Sequence, residues 1–159
     1  MEVVKIDHVT DDFKRIVKVF EEHLAALNQK STVISDDALK ETLTGYFKPD
    51  RSVYGCLLNH QLIGYAVLKE VEGCFWLEWI FVLPKYRHQG FARALFMFCE
   101  REAIKRGGSE LYVYVHPDNH EMLRFLKRVG YDSLNLVEVT KKQSHKGYDI
   151  DILGHRLKY

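Results

Sequence analysis

The spacing of apolar positions changes along the chain, and each change marks an element. Val3 to Ile6 is a short strand-like run. Phe13, Ile16, Val17, Phe20, Leu24 and Leu27 then recur at the spacing of one helical face. Thr10 is placed to cap that helix, and Asp11 and Asp12 suit its first turn. Polar Asn28-Gln29-Lys30-Ser31 interrupts the stripe, and Ser35 can cap a second helix that runs through Leu43 and closes at Gly45. Lys48-Pro49-Asp50 predicts a turn, and Ser52 to Leu58 and Leu62 to Glu70 predict a hairpin around Asn59-His60-Gln61.

The most apolar run follows a turn at Val71-Glu72-Gly73. It is Phe75-Trp76-Leu77-Glu78-Trp79-Ile80-Phe81-Val82-Leu83, with the single charge of Glu78. Aromatic and β-branched density of this kind suits a strand buried on both faces. Pro84 ends it, because proline cannot donate to a ladder. Phe91 to about Lys105 reads as a helix that stops at Gly107-Gly108, and Leu111 to Val115 as a strand that ends at His116-Pro117-Asp118-Asn119. Met122, Leu123, Phe125, Leu126 and Val129 predict a last helix, closed by Gly130-Tyr131. Two further strands are expected, Ser133 to Thr140 and Tyr148 to Leu157, joined by polar Lys141 to Gly147. Strand–helix–strand–helix from Phe75 to Arg128 implies a right-handed crossover and locally parallel strands, whereas the hairpins imply antiparallel ones. The expected fold is α/β, a mixed and mostly antiparallel central sheet with helices on both faces, in one domain spanning residues 1–159.

Composition narrows the classes. The 159 residues are 47% hydrophobic and 28% charged, with a formal net charge of +1, which gives no reason to expect a nucleic-acid or membrane partner. Cys56, Cys74 and Cys99 have no CxxC spacing and read as reduced, buried core residues. The eight histidines form no metal set, since Pro117 separates His116 from His120. No run is long and apolar enough to span a bilayer, and the first residues lack the layout of a signal peptide, so the cytoplasm is the expected location. A homodimer is left open.

Candidate chemistry lies where the apolar strand turns into the helix. Arg87-His88-Gln89-Gly90-Phe91-Ala92 would present free backbone N–H groups and a positive dipole end, which suit a pyrophosphate. Gly90 permits close approach, Ala92 keeps the first turn slim and Arg87 supplies countercharge. The segment lacks the three glycines of a dinucleotide fingerprint and the Gly-Lys-Ser/Thr of a Walker loop. Arg87-x-x-Gly90-x-Ala92 does resemble the pyrophosphate signature of the GNAT N-acetyltransferase superfamily, Gln/Arg-x-x-Gly-x-Gly/Ala. Asn119-x-x-Met122-x-x-Phe125-Leu126-x-Arg128-x-Gly130-Tyr131 looks like the second signature of that superfamily, and the order of elements agrees over nearly the whole chain.

That resemblance implies an enzyme that moves an acetyl group from acetyl-coenzyme A, without a metal, to a primary amine by direct attack in a ternary complex. It implies that Asn119 ends a strand splayed from its neighbour, and that the pantetheine arm enters the gap and pairs with the backbone near Phe81 and Val82. It also implies that Glu78 stands where several members keep a glutamate that relays a proton from the amine. From the residues alone, Glu78 is either that base or a glutamate paired with a neighbouring Lys or Arg or reaching solvent. Trp76 and Trp79 read as packing rather than a cation–π box, and Arg128 as a solvated helix residue. The chain departs from the family at Leu126, where a tyrosine commonly protonates the leaving thiolate. A small-molecule acceptor is favoured over a protein terminus or lysine, and a non-catalytic coenzyme A-binding sensor or scaffold is the alternative of another class.

Overall fold

The computed structural model describes residues 1–27, 33–139 and 149–158, which fall into two compact units, Met1–His120 and Glu121–Tyr159. The first unit is a five-stranded sheet in sequence order, β1 (Glu2–Ile6), β2 (Arg51–Leu58), β3 (Gln61–Val71), β4 (Cys74–Val82) and β5 (Leu111–Val113). The first four are antiparallel neighbours, and β5 joins β4 in parallel. The parallel pair is reached through helix α3 (Phe91–Lys105), as the strand–helix–strand pattern requires. Helices α1 (Asp11–Leu27) and α2 (Asp36–Tyr46) come before β2.

The sheet is covered on both faces. Phe13, Ile16, Val17 and Phe20 of α1 and Leu39, Leu43 and Tyr46 of α2 form one core with Val53, Tyr65, Val67 and Phe81. On the opposite face, Tyr54 meets Phe98 of α3 at 5.1 Å between ring centroids. Arg106, just past the end of α3, lies 4.9 Å from the Phe75 ring centroid, donates to Ser52 Oγ at 3.1 Å and pairs with Glu70. Thr10 caps α1 through a hydrogen bond from Phe13 N at 3.2 Å, and Ser35 caps α2 through Ala38 N at 3.2 Å.

Several expectations need correction. Helix α2 runs through Gly45 to Tyr46, because Leu39, Leu43 and Tyr46 share one buried face whose packing outweighs the ~1 kcal/mol propensity cost of a helical glycine. The hairpin turn is two residues, Asn59 and His60, both at positive φ, which matches the twist of the flanking strands. Strand β5 stops at Val113. Cys74 is exposed, while Cys56 and Cys99 are buried, and burial pushes the Cys99 thiol up to about 12. Cys74 stands at the first position of β4, opposite Val71 at the mouth of a turn.

Helix α4 (His120–Arg128) belongs to the second unit from Glu121 onward, and its end is closed by Tyr131 N donating to Leu126 O at 2.9 Å, with Gly130 at φ 93°. Residues 131–139 form no strand. Leu134, Leu136 and Val139 are exposed, and alternation alone cannot make a strand without a ladder partner. The second tail segment is a hairpin rather than one strand, β6 (Asp149–Ile152) against β7 (His155–Lys158). Its turn is Leu153-Gly154, both at positive φ, held by Gly154 N donating to Asp151 Oδ1 at 3.0 Å. The polar segments Asn28 to Ser31 and Lys141 to Gly147 lie outside the described residues.

One polar contact sits inside the core. The hydroxyls of Tyr46 and Tyr65 share a hydrogen bond at 3.3 Å, and burial raises both phenols above their ordinary range. Tyr46→Phe leaves the Tyr65 hydroxyl buried without that partner, so a loss of about 1–3 kcal/mol is expected in urea unfolding. The double variant with Tyr65→Phe should lose less than the sum of the two single changes.

Candidate functional site

Strand β4 is irregular at one residue. Its register with β3 runs Val71↔Cys74 to Leu68↔Leu77 and resumes at Val67↔Trp79, so Glu78 is the extra residue of a β-bulge. The bulge resets the alternation of the strand. Phe75 faces the α3 side, and the neighbouring Trp76 faces the other. Beyond the bulge, Trp79 and Phe81 both meet Phe20 of α1, at 5.4 and 5.2 Å between centroids. Trp76, Trp79 and Phe81 therefore share the α1 face.

Glu78 points to that face too, where Arg51 of β2 holds it. Arg51 Nε donates to Glu78 Oε2 at 2.6 Å and Nη2 to Oε1 at 2.8 Å, a two-pronged pair that reaches across β3. Arg51 Nη1 donates to both carboxylate oxygens of Asp50, at 2.8 and 3.0 Å. The Arg51 side chain is 13% exposed, and the Glu78 hydrogen bonds are the largest cause of its raised pKa. Of the two roles open to Glu78, pairing with a cation is thus realised. Each carboxylate oxygen keeps a second lone pair that could accept from an ammonium.

The bulge also lies where β4 loses a neighbour. Strand β5 pairs only with Phe75 to Leu77, so among the described residues Trp79 to Val82 have ladder partners on the β3 side alone and the bulged Glu78 has none. On that β3 side the backbones are close, since a Cβ at Gly64 would lie 2.7 Å from Phe81 O. Past Val82 the chain makes one 3-10 turn, Pro84–Tyr86, tied to β3 by Tyr86 Oη donating to Gln61 Oε1 at 3.0 Å.

The loop into α3 carries two left-handed residues, His88 at φ 61° and Gly90 at φ 86°. Gln89 between them donates its amide to Lys85 O at 3.3 Å. Gly90 is the N-cap residue of α3 and supplies no side chain to cap it, so the N–H groups of the first turn, from Phe91 and Ala92 onward, are left for an incoming acceptor. Arg87 is less free than a simple countercharge. Its Nε donates to Val82 O at 3.1 Å, and its guanidinium lies 5.5 Å from the Phe81 ring centroid, which ties the loop to the end of β4.

These features meet known proteins at one point. Residues 16–131 match the acetyltransferase (GNAT) family. The chain belongs to that family. No curated protein sequence matches it significantly. Among solved structures it is similar to an aminoglycoside N-acetyltransferase, AAC(6')-Iy, in complex with a bisubstrate analogue of coenzyme A, with 19% identity, a TM-score of 0.67 and coverage of 90% of this chain and 98% of that one. It is similar also to a ribosomal-protein-alanine N-acetyltransferase from Brucella melitensis biovar Abortus 2308, with 14% identity, a TM-score of 0.66 and coverage of 89% and 100%. A third is an aminoglycoside acetyltransferase from an uncultured soil metagenomic sample in complex with sisomicin, with 13% identity, a TM-score of 0.67 and coverage of 90% and 96%. At these identities the likeness is one of fold, and this GNAT acetyltransferase shares it over nearly its whole length.

Of the residues expected to act, Phe81, Val82 and the segment from Arg87 to Ala92 are contiguous at one end of β4, and Glu78 lies four residues upstream of Val82. Asn119 does not end a strand. It follows the shortened β5 in a turn, its N–H donating to His116 O at 2.8 Å, directly before α4. Arg51 and Asp50 escape sequence reasoning, because nothing in a turn signal at Lys48-Pro49-Asp50 shows which strand will lie two places away. Gly90→Val tests the loop, since φ 86° is strained for a β-branched residue although nothing lies within 4 Å of its Cβ position. Calorimetric titration with acetyl-coenzyme A should show affinity lost in the variant. Equal affinity in two folded proteins would remove the loop from the cosubstrate site.

Proposed function

We propose that this acetyltransferase moves the acetyl group of acetyl-coenzyme A to the primary amine of a small molecule by direct attack. The observation that carries the reading is the half-open strand β4. Among the described residues its positions 78–82 lack a partner on the β5 side, and the same strand leads into a loop with left-handed residues and a helix start without a side-chain cap. An extended pantetheine arm can add to such an edge as a strand would, at Phe81 and Val82. Its pyrophosphate then falls to Arg87, His88, Gln89, Gly90, Phe91 and Ala92, with Asn119 on the far side of the gap. Acetyl-coenzyme A supplies an activated acyl group on a thiol leaving group.

In this reading the protein's own groups bind, orient and move a proton. The acceptor arrives as ammonium and gives up a proton through the Glu78 carboxylate, which Arg51 holds against rotation. The free amine nitrogen attacks the thioester carbonyl carbon, backbone N–H of β4 steadies the oxygen, the C–S bond breaks and the thiolate departs. The amide nitrogen loses its second proton to water. The aminoglycoside acetyltransferases among the structural neighbours favour a small-molecule acceptor over a protein terminus.

Glu78→Gln should lower the rate by about 10²–10⁴-fold, with acetyl-coenzyme A affinity unchanged. A variant that keeps the rate would leave Glu78 as the structural partner of Arg51 alone.

Leu126, a buried residue of α4, decides between enzyme and binding module. A free thiol of the cysteine type has a pKa of about 8.5, so the thiolate can leave without a positioned acid and take a proton from water. Wild type is expected to release thiol with some primary amine, and Leu126→Tyr to match or exceed its rate. Tight acetyl-coenzyme A binding with no thiol release from either protein would favour the non-catalytic sensor.

A further inference from the structure

Trp76 packs against two tyrosines. Its ring lies 4.3 Å from that of Tyr114 at an interplanar angle of 8°, and 4.9 Å from that of Tyr112 at 32°. Tyr112 is anchored at the far end by its hydroxyl, which donates to Glu110 Oε1 at 2.8 Å. Tyr114 is 70% exposed and Trp79 is 36% exposed. Both tryptophans of the chain thus lie on the face of β4 that carries Glu78. A stack of three rings ending in an exposed tyrosine is a costly surface to leave in water, because each ring could bury a large apolar area. Tyr114 is also the first residue after β5 leaves β4, so the stack ends beside the gap described above.

We infer that the ladder of Trp76, Tyr112 and Tyr114 is the floor of the acceptor site and selects a primary amine carried on a short arm from a flat aromatic ring. The inference rests on the acetyl-transfer reading and names its substrate class. A flat ring extends the stack on Tyr114, in the offset geometry that aromatic pairs prefer. The parallel register that sets Trp76 beside Tyr112 and Leu77 beside Val113 carries Tyr114 along the strand toward Glu78, so an aminoalkyl arm on a ring stacked against Tyr114 starts on the Glu78 side. The face carries carboxylates that can attract an ammonium. Asp50, Glu78 and Glu110 stand near Arg51 and Lys69, the cross-strand partner of Trp76, and Glu21 of α1 adds a further carboxyl group near Tyr46 and Tyr65.

The test compares 2-phenylethylamine, n-butylamine and spermidine as acceptors for wild type, Tyr114→Phe and Tyr114→Ala. Tryptophan fluorescence, which reports on this face alone, is titrated with the same amines. Wild type should favour 2-phenylethylamine over n-butylamine by about tenfold in kcat/KM. Tyr114→Ala should abolish that preference through KM, and Tyr114→Phe should keep it. No preference in wild type, a preference that survives Tyr114→Ala, or spermidine as the best acceptor would each overturn the inference. If no amine is acetylated although acetyl-coenzyme A binds, the transfer reading falls. The fluorescence titrations then still decide the ladder, since saturation by 2-phenylethylamine must be present in wild type and weakened at least tenfold in Tyr114→Ala.

Discussion

Strand β4 has ladder partners on both sides from Phe75 to Leu77, none at the bulged Glu78 and, among the described residues, partners on the β3 side alone from Trp79 to Val82. Backbone N–H and C=O groups need partners, and a strand in the middle of a sheet ordinarily finds them in its neighbours. Here β5 ends at Val113, and the bulge at Glu78 begins where that support ends. The half-open edge is the constraint on which the rest depends. A fully paired β4 would leave no open backbone edge beyond Leu77, and a shorter one would not deliver the chain to the start of α3.

The bulge acts on side chains as well as on backbone. It brings Trp76, Trp79 and Phe81 to one face, which a regular strand with alternating sides would separate. It also sets Glu78 within reach of Arg51, whose bidentate hold costs the carboxylate its rotational freedom. An arginine suits this place better than a lysine, because its planar fork matches a carboxylate and leaves a third nitrogen for Asp50. The other face of the sheet has no comparable polar cluster among its described contacts, apart from Arg106 with Glu70 and Ser52, which fastens the end of α3.

Much of this was legible in local pattern. The helical stripe of α1, the caps at Thr10 and Ser35, the apolar density of β4 and the stop at Pro84 each depend on neighbours in sequence, and each appears where the pattern puts it. At Gly90 the structure adds a reason that the motif did not supply, since a residue at φ 86° favours glycine. Less legible were the ends of elements set by packing. Tyr46 extends α2 past a glycine because its ring is buried, and β5 stops short of Val115 although its residues suit a strand.

What the sequence by itself determined is the order of most elements and the place where β4 gives way to α3, because periodicity, caps and breakers act over a few residues. The tertiary structure alone decided the partner of Glu78, the burial of each cysteine and the meeting of Trp76 with Tyr114. Arg51 and Glu78 are 27 positions apart and two strands distant, and Trp76 and Tyr114 meet only through the register of β4 with β5. Such contacts follow from strand order and from one inserted residue, which no local preference encodes. A β-bulge shifts every side chain after it to the other face, so a single unpaired residue in the ladder determines what the site contains.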